Sequence, residues 1–229
     1  MGQKISLNDA LPIINSIIDK PFDDLFEDKS LFADVINKGK SGHLLEHILV
    51  GLDLTSDLLD FTDGELKSVI WREYNFTPDD TMAITMVNKD IDDFLSNMPY
   101  RDSHVYQKLK NFILVPTVKK FRSGKNWEPG KWYYSHPYHV SIDIPKYADF
   151  YKQLEEDYYS IREQVINKLD NGDFLETTNG KYLQIRTKGS GKDTICFSQI
   201  YNRNINESGA AYAFYLKMDG LKAIKDINN

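Results

Sequence analysis

Cysteine is nearly missing from this chain of 229 residues: Cys196 is the single thiol. An internal disulfide framework is thereby excluded, a composition that suits a reducing cytoplasm. Within Thr194-Ile195-Cys196-Phe197, the thiol is expected to be a small buried hydrophobe. Long apolar runs are missing too. No stretch approaches the roughly 20 apolar residues of a bilayer-spanning helix. None follows Met1-Gly-Gln-Lys either, so no signal peptide is expected and the expected location is the cytoplasm. Low-complexity linkers and internal repeats do not occur. Positive charge is not in excess: 28 Lys and Arg stand against 34 Asp and Glu, a net charge of −6. Bulk charge thus counts against a nucleic-acid partner, although it says little about a local patch. What is present is core-forming material. A hydrophobic fraction of 41% and aromatics at 13% argue for a packed globule rather than disorder. The length allows one large domain or two lobes.

The most informative stretch is Asp57-Leu-Leu-Asp60-Phe-Thr-Asp63-Gly-Glu65-Leu-Lys67-Ser-Val-Ile70. On a strand, side chains alternate, so Glu65, Lys67 and Val69 share one face and Leu66, Ser68 and Ile70 the other. Carboxylates can hold Mg²⁺, and an ammonium beside them can position the attacking water and offset phosphate charge. That combination suits phosphodiester hydrolysis and is the signature of the PD-(D/E)xK nucleases. Alone, the spacing is common by chance in a chain that is 27% charged, where Glu and Lys are ordinarily solvated strand residues. Asp57, Asp60 and Asp63 all compete for the position of first ligand.

Four further blocks, in order, accompany this one: Gly39-Lys40-Ser-Gly42-His-Leu-Leu-Glu46, His104-Val-Tyr-Gln-Lys108-Leu-Lys110 with Ile113-Leu-Val-Pro116, Gly180-Lys-Tyr-Leu-Gln-Ile-Arg186-Thr-Lys188, and Phe214-Tyr215-Leu-Lys217. With Gly64-Glu65-Leu-Lys67-Ser, they resemble the MutH-like DNA endonucleases, the mismatch-repair endonuclease and related type II restriction enzymes, over nearly the whole chain. Asp60-Phe61 resembles the family's Asp-Phe pair, which favours Asp60 as first ligand. Its five-residue gap to Glu65 is shorter than in MutH and similar to the MvaI-type restriction enzymes.

The resemblance implies a restriction-endonuclease-like mixed α/β core, a central mixed sheet flanked by helices. Two lobes, approximately 1–135 catalytic and 136–229 for DNA recognition, would form a DNA cleft within one domain spanning 1–229. It implies a Mg²⁺ cofactor, with Mn²⁺ as substitute, held by Asp60 and Glu65. Lys67 would assist the nucleophilic water, Glu46 would bind a metal-coordinated water or orient Lys67, and Lys108 would contact the scissile region. Double-stranded DNA is the implied partner, with homodimerisation on it, cut at a short palindrome for which GATC is the first expectation. Arg186 would read guanine through its bidentate donors and Lys188 would contact phosphate, with Tyr215 and Lys217 on the same DNA surface. Two alternatives keep the fold: a nickase of hemimethylated DNA with a MutL-like partner, and a non-catalytic DNA-binding module.

Other patterns carry less. From His104 to Lys131, seven Lys and Arg stand against the one acid Glu128, with Trp127, Trp132, Tyr133 and Tyr134 close by. Such a run is ordinarily a solvated face, and becomes a phosphate-contacting loop only through the resemblance. His43-Leu-Leu-Glu46-His47 fits the His-x-x-Glu-His zinc pattern of inverzincin proteases, but the apolar residues explain that helix independently. Gly189-Ser-Gly191-Lys192-Asp193 resembles the end of a P-loop without its first glycine or its Mg²⁺-binding hydroxyl, and reads as a basic loop.

Apolar spacing predicts helices over 6–19 with Ser6 as N-cap, from about Pro21 to Asn37, through Leu44–Leu52, near 90–97 and 103–110, and over 146–170. Strands are expected around 64–70, at 81–87, 112–118, 138–144, 181–188, 193–199 and 211–217, before a short helix from Asp219.

Overall fold

Ser6 begins the first helix as its side chain dictates: its hydroxyl accepts from the Asp9 amide at 3.1 Å, satisfying a donor that the first turn leaves without a partner. A computed structural model describes residues 5–33, 40–50, 61–120, 128–188, 195–207 and 210–229. In chain order the elements are α1 (Leu7–Ile17), α2 (Phe22–Leu25), α3 (Lys40–Val50), β1 (Glu65–Arg72), β2 (Thr77–Pro78), β3 (Met82–Met86), α4 (Ile91–Leu95) and α5 (His104–Leu109). There follow β4 (Asn111–Lys119), β5 (Tyr133–Tyr134), β6 (Tyr138–Ser141), α6 (Ala148–Asp170), β7 (Thr178–Asn179), β8 (Leu183–Thr187), β9 (Phe197–Ser198), β10 (Arg203–Asn204), β11 (Tyr212–Leu216) and α7 (Met218–Asn228). The class is mixed α/β. Among the described residues, no helix is long and apolar enough to cross a membrane.

The chain forms two units, the first from Met1–Asp80 and Asn111–Ser141, the second from Thr81–Lys110 and Ile142–Ile227. The chain passes between the units after Asp80, after Lys110 and after Ser141. Residues 81–110, however, leave the first unit, because β3 pairs with β11 near the C-terminus.

In the first unit, β1 lies parallel to β4 over its full length, with β2 antiparallel on its outer side and β5 and β6 antiparallel on β4. Leu66 and Ile70 of β1 join Ile113 and Val115 of β4 against one apolar cluster. The helices contribute Leu7, Ala10 and Ile14 from α1 and Leu44, Leu45 and Leu49 from α3. This is the helical periodicity of the sequence meeting the strand periodicity. The Tyr134 hydroxyl donates to the Ser41 carbonyl at 2.8 Å and fixes the start of α3. Pro21–Asn37 is less helical than its spacing suggests: α2 is one turn, and a short 3₁₀ turn follows at Lys29–Phe32. Phe22, Phe26 and Phe32 nonetheless reach the core.

Gly64 shows why a glycine must precede β1. A Cβ there would lie 2.5 Å from the Asn111 carbonyl oxygen and 2.5 Å from Leu7 Cδ1. The Asn111 oxygen belongs to backbone and cannot rotate away. Gly64→Ala is therefore expected to cost about 1–3 kcal/mol through overpacking, read as a lower urea midpoint at unchanged m-value. An unchanged midpoint would show that this approach is not tight.

In the second unit β3, β11, β8 and β7 form an antiparallel sheet in that order. The apolar stripe of α6, from Phe150 through Leu154, Tyr158 and Ile161 to Val165 and Leu169, is buried as its spacing requires. Phe214 of β11 stacks on Tyr158 at 6.2 Å, so the Leu183, Ile185 and Phe214 face of the sheet receives α6. Cys196 is 3% exposed, and burial pushes its thiol up to about 11, with the Asp92 charge adding. The predicted strand over 193–199 shrinks to Phe197–Ser198, paired with Arg203–Asn204. The strand over 138–144 stops at Ser141.

Candidate active site

Period-two alternation puts Glu65, Lys67, Val69 and Trp71 on the face of β1 turned away from the helical core. Val69 and Trp71 are buried there, while Glu65 and Lys67, nearer the start of the strand, keep 23% and 17% of their side chains exposed. Lys67 Nζ lies 3.1 Å from Glu65 Oε2. A half-buried ammonium and carboxylate are thus held two residues apart on rigid backbone, hydrogen-bonded along eight registered positions to β4. The arrangement offers hard oxygen donors for a small divalent cation and an adjacent proton-rich cation for a polarised water or a phosphate oxygen.

Of the other residues expected around this pair, Asp60 and its rival Asp57 lie outside the described residues. The other rival, Asp63, holds the fold instead. Its Oδ1 accepts from the Leu7 amide at 2.8 Å, anchoring the first turn of α1. Glu46 is 7% exposed on α3. That helix packs on β1 through the opposite face, where Ser68 Oγ meets Ser41 Oγ at 3.3 Å. Among the described residues, no three His, Cys, Asp or Glu side chains gather as a metal cluster. His43 and His47, four residues apart, share one side of α3, and the His47 ring lies 6.4 Å from Phe26. Lys108 is half-buried on α5 in the second unit.

Three cations of the basic run, Lys119, Lys120 and Lys131, are paired within the molecule. Lys119 is buried against Asp79, which also binds Arg72. Burial, with the Arg72 charge adding, lowers the Lys119 pKa. Lys120 lies 3.6 Å from Glu73 and Lys131 3.3 Å from Asp23. Trp132 and Tyr134 are core residues. What remains of the expected phosphate loop, 121–127, lies outside the described residues, as does the glycine-rich loop 189–194.

The predicted DNA-contacting residues fall on one sheet of the second unit. Arg186 stacks its guanidinium 4.8 Å from the centre of the Tyr215 ring and donates from Nη1 to Thr81 Oγ1 at 3.2 Å. Tyr215 is 6% exposed, the platform beneath the arginine. Lys188 is exposed at the end of β8. Lys217 donates to the Gly180 carbonyl at 2.8 Å, joining the last two sequence blocks.

Sequence reasoning missed Asp157. From α6 this carboxylate, 4% exposed, accepts from the consecutive backbone amides of Lys181, Tyr182 and Leu183 and from Gln153 Nε2 at 3.1 Å. The Lys181 and Leu183 bonds are both 2.9 Å. A Cβ on Gly180 would sit 2.5 Å from Asp157 Cγ, so the carboxylate and the glycine require each other. The signal was available: an acid three residues after Leu154 and four before Ile161 lies on the buried stripe.

A scan of known protein families finds no match to this chain, and a search of curated protein sequences finds none either.

Proposed function

We propose that this chain is a Mg²⁺-dependent endonuclease of double-stranded DNA, a type II restriction enzyme cutting at a short specific site. The observation that carries the reading is the Glu65–Lys67 pair: carboxylate and ammonium 3.1 Å apart, half-buried, on a strand otherwise built into the sheet. The order β1 parallel to β4, with α1 and α3 on one face, is what a restriction-endonuclease-like core would need to present such a pair.

Glu65 fits a Mg²⁺ site, having a carboxylate with solvent access, and Asp60 would supply the second carboxylate. When bound there, Mg²⁺, or Mn²⁺ in its place, polarises the phosphate and offsets its charge. Lys67 orients the attacking water by hydrogen bonding and favours the developing negative charge on phosphate oxygen. Water attacks phosphorus, the P–O3′ bond breaks, and the products carry 5′-phosphate and 3′-hydroxyl. Lys108 contacts the scissile region, Arg186 reads a base and Lys188 meets phosphate; Tyr215 supports Arg186 rather than touching DNA directly, and Lys217 holds the Gly180 turn.

The test is digestion of methylated, hemimethylated and unmethylated plasmid by purified protein with Mg²⁺, followed by sequencing of the ends. Double-strand cuts at one short sequence support restriction. Nicks confined to hemimethylated DNA, stimulated by a MutL-like partner, would replace it with the repair reading. A protein that binds DNA and cuts none with Mg²⁺ or Mn²⁺ would be a non-catalytic module.

A further inference from the structure

Glu65 opens β1, and its pairing with Phe112 is the first in the register with β4. The backbone just before it lies beyond that ladder, where an unsupported strand end frays. Here it is fastened from three directions. The Thr62 amide donates to the Ile5 carbonyl at 3.2 Å. Asp63 Oδ1 accepts from the Leu7 amide at 2.8 Å. The Asp63 carbonyl accepts from Nδ2 of Asn111, the residue before Phe112 on β4. Bare Gly64 leaves room for this approach: a Cβ there would lie 3.1 Å from the same Nδ2. On its other side, Asn111 Oδ1 meets His139 Nε2 of β6 at 2.8 Å. An amide oxygen only accepts, so His139 presents an Nε2–H, and the Asn111 NH₂ is left to face Asp63. The imidazole thereby fixes which way the amide points. All of these residues belong to the first unit.

We propose that Asn111 is a positioning residue, holding the Glu65 carboxylate where a divalent cation meets it; this rests on the endonuclease reading above. A carboxylate on loose backbone must be ordered when the ion binds, and that ordering is subtracted from affinity. A metal site needs its ligands held to within about 0.5 Å. Mg²⁺ demands near-ideal octahedral geometry, whereas the larger Ca²⁺ accepts irregular coordination. Loosening the entry to β1 therefore weakens Mg²⁺ more than Ca²⁺. Lys67 is affected as well, because its ammonium sits 3.1 Å from Glu65 Oε2 and follows the carboxylate. Removing a group that orients a metal ligand typically lowers metal affinity by about 10–100-fold. An Asn111 that only knits the sheet would instead change stability and leave the metal affinity of the folded protein as it was.

The experiment is Mn²⁺ titration of the purified protein, read from the loss of the free ion's electron paramagnetic resonance signal. Cleavage at varied Mg²⁺ is assayed alongside. Wild type is compared with Asn111→Ala, Asn111→Leu, His139→Gln, His139→Leu and Glu65→Ala. Both Asn111 variants should bind Mn²⁺ about 10–100-fold more weakly. The Mg²⁺ concentration for half-maximal cutting should rise by a similar factor. His139→Gln, whose amide can also donate to Oδ1, should bind Mn²⁺ as wild type does, and His139→Leu should bind it less tightly. Folded Asn111 variants with wild-type Mn²⁺ affinity would overturn the positioning role, while the endonuclease assignment stands on its cleavage assay. Should the Asn111 variants not fold, the exposed His139 decides: wild-type affinity in His139→Leu would overturn the role equally. A wild type that binds Mn²⁺ no better than Glu65→Ala would remove the metal site, and the inference with it.

Discussion

Lys67→Ala is expected to lower Mg²⁺-dependent DNA cleavage by at least roughly 10²-fold while leaving DNA affinity in Ca²⁺ unchanged. The reason is geometric. Lys67 Nζ sits 3.1 Å from Glu65 Oε2, with 17% of its side chain exposed, so the ammonium is partly desolvated and cannot be replaced by bulk cations. An interaction made mainly as charge develops in the transition state shows in kcat rather than in binding. Lys67→Met, which keeps the aliphatic stem against the strand, should behave like Lys67→Ala and separates loss of charge from loss of packing. Glu65→Ala should be equally inactive and should in addition lose its response to Mg²⁺ concentration. Single-turnover cleavage and gel-shift titrations measure both quantities. A Lys67→Ala protein that cuts at the wild-type rate would remove this pair from the chemistry.

Asp157→Ala is expected to destabilise the protein by about 3–5 kcal/mol, because three backbone amides would be left buried around an empty position. Asp157→Asn should recover little of this. Its amide can accept only through one oxygen, and its NH₂ would point at donors. Denaturant titration reads the change as a shift of midpoint at unchanged m-value. A loss of less than about 1 kcal/mol would mean that water takes over the three amides without strain. The loss would also loosen the start of β8, the strand that carries Arg186. Binding specificity in Asp157→Asn should therefore fall before the fold does on warming.

The helices and the long strands were legible because their apolar spacing and their burial are the same fact. Ser6 with the Leu7, Ile14 stripe gave α1, and Phe150 to Leu169 gave α6. The pairing of Glu65 with Lys67 was legible from alternation alone. The membership of 81–110 was not, since which strand Met82–Met86 pairs with depends on contacts far along the chain. Lys119, Lys120 and Lys131 read as part of a solvated basic face because charge in sequence carries no information about partners, and Asp79, Glu73 and Asp23 lie elsewhere. Asp157 was missed for a related reason. It is a polar residue on a buried face, and only the amides of a distant turn show its purpose.

Synthesis of this chain on the ribosome is vectorial, and β3 leaves the exit tunnel long before its partner β11 exists. At ~5–20 residues per second, the roughly 130 residues between them take about 6–26 s. Throughout that interval Met82-Ala-Ile-Thr-Met86 is an apolar segment with both edges open, the kind of nascent segment that chaperones hold. Chains stalled just before Ala211 should remain chaperone-bound and be cleaved readily within 81–110. Chains stalled once Leu216 has emerged should be released and resist cleavage there. Equal protease resistance at both stall points would mean that β3 finds shelter before β11 arrives.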